Sequence, residues 1–152
     1  MLVLFRYNWQ VRQDWFKLCE QLTEEELLRK RVGGVGSILK TLFHIVDVEY
    51  SWINALQGKK DREPQFKDYQ LIQKVKALSD SYRRELEEFL QIWSGDLEYK
   101  ILKASWTDKI YTYGEVLRHV IVHEIQHIGQ LSIRARELNL QPVSANLIGR
   151  GL

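Results

Sequence analysis

Apolar residues return at three-, four- and seven-residue intervals through four long stretches of the chain, the period of an α-helix that turns one face to a core. The first, about Leu2 to Gln21, places Leu4, Val11, Trp15 and Leu18 on one side. In the second, "ILKTLFHIVDVEYSWINALQ", Ser37 is a natural N-cap and Gly58 a natural stop. A third, about Tyr69 to Trp93, sets Leu71, Val75, Leu78, Tyr82, Leu86 and Phe89 opposite a charged face. The fourth opens on a capping box, Thr112 with Glu115, and runs to about Asn139.

Shorter signals fill the gaps. "LTEEELLRKR" predicts a short extra helix, with Thr23 and Glu26 in a second capping box. "GGVGS" resembles a phosphate loop only in its glycines; no Lys-Ser/Thr pair follows, so it reads as a flexible connection. Between Gly95 and Tyr113 polar and apolar residues alternate loosely, as in a short hairpin or an irregular strap. Both prolines, Pro64 and Pro142, fall in loops. The pattern predicts an all-α protein: an antiparallel four-helix bundle with a short additional helix and a small strap before the last helix, one domain over residues 1–152.

Composition narrows the functional classes. The chain is 45% hydrophobic and 28% charged, within the range of soluble globular proteins. Its net charge of +2, from 22 basic and 20 acidic residues, leaves no electrostatic footprint for nucleic acid. "MLVLF" meets Arg6, Asn8, Gln10 and Arg12 too soon for a signal peptide or a membrane span, so a cytoplasmic location without a membrane partner is the expectation. Cys19, the one cysteine, reads as a packing residue. Trp9, Phe16 and Trp93 are more aromatic surface than one small core readily buries, which suggests a homodimer with some of them at its interface.

The chemistry lies in "HVIVHEIQHIGQ", which holds His119, His123 and His127, three of the chain's four histidines. On a helix each four-residue step turns about 40° and climbs roughly 6 Å, so His119 and His127 stand about 12 Å apart along the axis and do not easily share an ion. The neighbouring apolar residues place His123 and His127 on the inward face and swing His119 away from it. A metal site needs at least three protein ligands. His44, in the middle of the second long helix, supplies the third when that helix packs alongside. Three imidazoles without a thiolate suit zinc, nickel, iron or copper.

His123-Glu-Ile-Gln-His127 also spells the zinc-peptidase motif H-E-x-x-H. Its two known completions are both missing. The only carboxylate side chain beyond His127 is Glu137, in the same helix, and the extended motif's Gly and His are replaced by Gln130 and Ile133. Glu124 and Glu49 both point towards apolar sectors, where a carboxylate is costly unless paired. Each is either an ion-pair partner, with Arg6, Tyr7 or Arg12 of the first helix as candidates, or a support for the site. For Glu124 that second role is catalytic, a general base.

"HIVDVEYSW" followed by "HVIVHEIQHIGQL" resembles the DinB-like family, which includes relatives of bacillithiol and mycothiol S-transferases. The resemblance spans nearly the whole chain; many members carry Arg where this chain has Ile128. It implies a four-helix fold, often a homodimer, and a divalent transition metal held by His44, His123 and His127. It also implies an enzyme of the thiol S-transferase or hydrolase type, with a small-molecule substrate and a low-molecular-weight thiol as second cofactor. The alternatives are a metal-binding protein without turnover and a dimeric structural or stress bundle.

Overall fold

The structure, a computed structural model, describes residues 1–152. Five helices, α1 (Leu2–Cys19), α2 (Glu24–Leu28), α3 (Ile38–Leu56), α4 (Ile72–Gln91) and α5 (Tyr113–Glu137), enclose one core, and strands β1 (Ile101–Lys103) and β2 (Ile110–Thr112) pair before α5. Local chemistry sets most of the boundaries. The Ser37 hydroxyl accepts from the Lys40 amide at 3.1 Å, which starts α3. At its end Gly58 has φ +67°, the Gly58 amide donates to Ala55 and the Lys59 amide to Asn54. That bond pair is a Schellman motif, and it needs the left-handed backbone that glycine adopts freely. Thr112 and Glu115 complete the predicted box at the start of α5.

The box expected for α2 is only half made. Thr23 accepts from the Glu26 amide, but the Glu26 carboxylate turns to Arg29 and Arg31. Helix α4 begins at Ile72, with Leu71 as an exposed N-cap, so Ile72 takes the core position assigned to Leu71.

Helix α3 packs against α4 and α5, α1 packs against the same two, and α2 lies on α3. The core draws on every long helix and on Leu102 and Ala104 of the hairpin. Trp9 is only 2% exposed and Phe16 is fully enclosed, which corrects their reading as surface aromatics. Trp9 is held between α3 and α4, where its Nε1 donates to Glu49 and Arg83 lies over its ring, and the C-terminal tail covers the opposite side of α1. The Tyr7 hydroxyl donates to the Ala145 carbonyl at 2.7 Å, and Arg150 pairs with Asp14. Leu4, assigned to the core, faces solvent. Trp93 is half-buried against Phe89.

One polar cluster crosses this apolar interior. Arg12 of α1 donates from Nε to Oε1 of Glu124 at 2.8 Å and from Nη2 to Oε2 at 2.5 Å, a bidentate pair with α5. Its Nη1 reaches Oε2 of Glu49 on α3 at 2.8 Å and the Ser79 hydroxyl on α4 at 3.3 Å, while Trp9 Nε1 donates to the other Glu49 oxygen at 2.9 Å. All four long helices therefore meet at one guanidinium. Burial disfavours the Arg12 cation, but the two carboxylates outweigh it and hold the group more firmly protonated than a free guanidinium. One cation cannot fully compensate two carboxylates, and burial pushes Glu124 up against the opposing pull of Arg12.

The glycine loop is fastened rather than free. Arg134 donates to the carbonyls of Gly33 and Ser37 and to the Thr41 hydroxyl, tying the loop and the start of α3 to α5. Gly34, at φ +58°, lies so close to α5 that a Cβ there would stand 2.6 Å from Oε1 of Gln130.

Removing the cation leaves two buried carboxylates unpaired, so Arg12→Leu is expected to lose about 3–5 kcal/mol in urea unfolding. Replacing Arg12, Glu49 and Glu124 together by apolar residues of similar volume should recover most of that loss. A single variant as stable as the wild type would show that the cluster contributes nothing.

Candidate metal centre

His44 lies near the middle of α3, and His123 and His127 lie one turn apart on α5, the helix against which α3 packs. Their side chains converge. Nε2 of His123 is 3.1 Å from Nε2 of His44 and 3.1 Å from Nε2 of His127, and one ring nitrogen from each residue lies within 4.8 Å of the others. Two nitrogens bound tetrahedrally to zinc at 2.0–2.1 Å stand about 3.3 Å apart, which the two 3.1 Å separations approach, while the His44–His127 pair is wider.

The outer atoms support this orientation. Nδ1 of His127 is 2.8 Å from Oε1 of Gln130, an oxygen that can only accept, so Nδ1 carries the proton and the Nε2 lone pair faces the cluster. His127 is buried, while His44 and His123 are half-buried, which leaves the centre open on one side. Burial and then the neighbouring His127 lower the pKa of His44. The same two effects, with His44 and His119 adding to them, bring His123 down to about 3. Near neutral pH both rings are neutral donors, the state that a metal ligand requires. The donor set thus fits a divalent transition metal of the zinc, nickel or iron type.

His119 is exposed and off the cluster, with its ring centroid 5.8 Å from that of His123. It packs edge-on to Trp52 at 5.9 Å. Glu124, the candidate base, is 1% exposed, and Arg12 engages both of its oxygens. Of the two roles open to it, the contacts are those of the ion-pair partner.

The family model for DinB matches residues 1–149. The chain belongs to the DinB family. The uncharacterized protein YizA of Bacillus subtilis (strain 168) is 56% identical over 153 residues, which are 100% of this DinB-family chain and 96% of that protein. The crystal structure of a DinB-like protein from Bacillus cereus superposes with a TM-score of 0.60 at 19% identity, covering 88% of this chain and 89% of the other. At that identity the likeness is one of fold.

Two features of this DinB-family site escape a reading of the sequence. Gln130 is signalled only by its place three residues after His127, one helical turn away. The cavity between Trp52, Tyr111, Glu115, Val116 and His119, about 330 Å³ in volume, combines α3, α5 and the hairpin, so no local pattern announces it.

Replacing His44, His123 or His127 by Ala should remove most bound zinc in metal analysis, whereas His119→Ala should leave its stoichiometry nearly unchanged. Gln130→Ala is expected to weaken binding by about 10- to 100-fold. Retention of full zinc by any of the three ligand variants would overturn the assignment.

The lowered pKa values carry a pH dependence. Below about 6.5 the unfolded chain takes up protons on His44 and His123 that the metal-free folded protein refuses, so stability is full above that pH and falls below it. For His123 the loss continues towards about 3. Asp47, which burial and then Asp61 push up to about 6, has the opposite slope. The difference in Tm between wild type and His123→Gln, followed from pH 7.5 to 5, isolates the histidine. It should favour the variant increasingly as pH falls, and a constant difference would remove the effect.

Proposed function

We propose that the protein is a metal-dependent enzyme of the thiol S-transferase type, with His44, His123 and His127 holding a divalent transition metal. The observation that carries the reading is the convergence of three Nε2 atoms, with His127 oriented by Gln130. When bound, such an ion supplies Lewis acidity and lowers the pKa of a thiol or water that it coordinates. The chain's residues do the rest. His44 and His123 stay neutral at working pH, Gln130 keeps the His127 lone pair directed inward, and the half-buried side of the cluster admits a small-molecule substrate.

The engagement of Glu124 favours thiol transfer over hydrolysis. A hydrolase of the H-E-x-x-H type uses its carboxylate to take a proton from metal-bound water, a role that the paired Glu124 does not offer, whereas a low-molecular-weight thiol becomes nucleophilic once its pKa is lowered. Binding without turnover is the alternative that an activity assay addresses.

The surrounding architecture in this reading is an antiparallel four-helix bundle of α1, α3, α4 and α5, since each of the four packs against two of the others. No helix is long and apolar enough to cross a membrane, and we place the protein in the cytoplasm. With Trp9 and Phe16 enclosed, the homodimer rests on a different surface, the exposed Val122, Ile125 and Ile133 of α5.

Zinc-loaded protein mixed with L-cysteine and 1-chloro-2,4-dinitrobenzene should form the thioether faster than the uncatalysed mixture. The acceleration should vanish in His123→Ala and persist in folded Glu124→Gln. No acceleration with any of a panel of small thiols and electrophiles would leave binding without turnover. Sedimentation should give a dimer at micromolar concentration that Ile125→Glu dissociates, and a wild-type monomer would dispose of the interface.

A further inference from the structure

We propose that the cavity beside the histidine centre is its specificity pocket and receives a planar, uncharged aromatic group of the substrate. The inference rests on the functional reading above and adds the substrate class. The volume, about 330 Å³, lies at the lower end of small-molecule sites and is large enough for one ring system. Three of its five lining residues are rings. Tyr111 and His119 stand nearly perpendicular to Trp52, at 89° and 77° with centroids 5.7 and 5.9 Å from it, and Trp106 packs edge-on to Trp52 at 5.0 Å. Rings arranged at right angles offer a flat guest one face to stack on and edges to meet, the two geometries that aromatic pairs prefer. Val116, buried in the core, completes the apolar lining.

The one charged lining residue argues against ionic guests. Oε2 of Glu115 accepts from both the amide and the hydroxyl of Thr112, at 2.7 and 2.9 Å, so the carboxylate is turned back to the helix cap. There it repels anions while being drawn away from any cation in the cavity. His119 joins the cavity to the centre, since its ring neighbours Trp52 on one side and His123 on the other. Along α5 the nearest pocket residue, His119, stands about 6 Å, one step of four residues, from His123, while Val116 and Glu115 lie about 10 and 12 Å from it. A guest ring would therefore hold its reacting atom a few bonds away, over the histidines.

The test uses unreactive probes, so that it is independent of turnover. Metal-free and zinc-loaded protein are titrated with benzyl alcohol, cyclohexylmethanol and benzyltrimethylammonium, while the Trp52 indole N–H resonance is followed by NMR. Benzyl alcohol should shift that resonance saturably in both forms and bind at least about threefold tighter than either other probe, in line with an aromatic contact of about 0.5–1.5 kcal/mol. Observed on the Tyr111 resonances, Trp52→Leu should weaken benzyl alcohol at least about fivefold, and Trp93→Leu should leave it unchanged. If Trp52→Leu does not fold, Tyr111→Leu, observed on Trp52, carries the same comparison. No saturable shift, equal binding of cyclohexylmethanol, tighter binding of the ammonium, or undiminished affinity in the pocket variant would each overturn the proposal. Failure of the metal reading would appear separately, as absent zinc with the probe titration intact.

Discussion

The Arg12 guanidinium is the constraint on which the rest of the structure depends. A buried cation is tolerable only with its counter-charges in place, and those counter-charges come from α3 and α5, the two helices that carry the histidines. Glu124 directly follows His123, and Glu49 lies five residues beyond His44. Apolar packing alone tolerates a sliding of one helix past another more readily than a hydrogen-bonded charge does. The ion cluster therefore fixes the relative height of α3 and α5, and the 3.1 Å approach of His44 to His123 depends on that height.

The same geometry explains why the Glu of H-E-x-x-H does different work here. Successive helix residues are rotated by about 100°, so when His123 and His127 face α3, the residue after His123 cannot share their direction. It turns to α1, where Arg12 waits. A motif written in letters does not state what its second residue meets on the neighbouring helix, and that neighbour decides between a free carboxylate and an engaged one. Arg12 was one of three candidate partners in the sequence, and only the packing of α1 could choose it.

Features that rest on local chemistry are the ones the sequence discloses well. Ser37, Gly58 and the Thr112–Glu115 box act over four to six residues, and the helices they bound lie close to the predicted spans. The i, i+4 histidine pair is legible for the same reason, and His44 joins it once two helices are assumed to pack. What depends on three or more elements is hidden. The buried face of α1 is wider than its periodicity suggests because the C-terminal tail covers a further side through Tyr7 and Arg150. The glycine loop looks flexible until Arg134, a hundred residues away in the chain, is found to hold it.

The molecule divides its rigidity accordingly. The three histidines stand on helices locked by the Arg12 cluster and, at the loop end, by Arg134 and the Gly34–Gln130 contact. The cavity beside them shares Trp52 and His119 with those helices, but takes Tyr111 from β2, while Trp106 backs it from a hairpin whose Ile101, Trp106 and Ile110 are exposed. A short, solvent-facing hairpin tolerates sequence change far better than a helix bearing a buried ion cluster. The arrangement of the three imidazoles is thereby insulated from variation in the element that shapes the neighbouring wall. On the function proposed above, such a centre would keep one coordination chemistry while the group accepted alongside is altered by the hairpin alone.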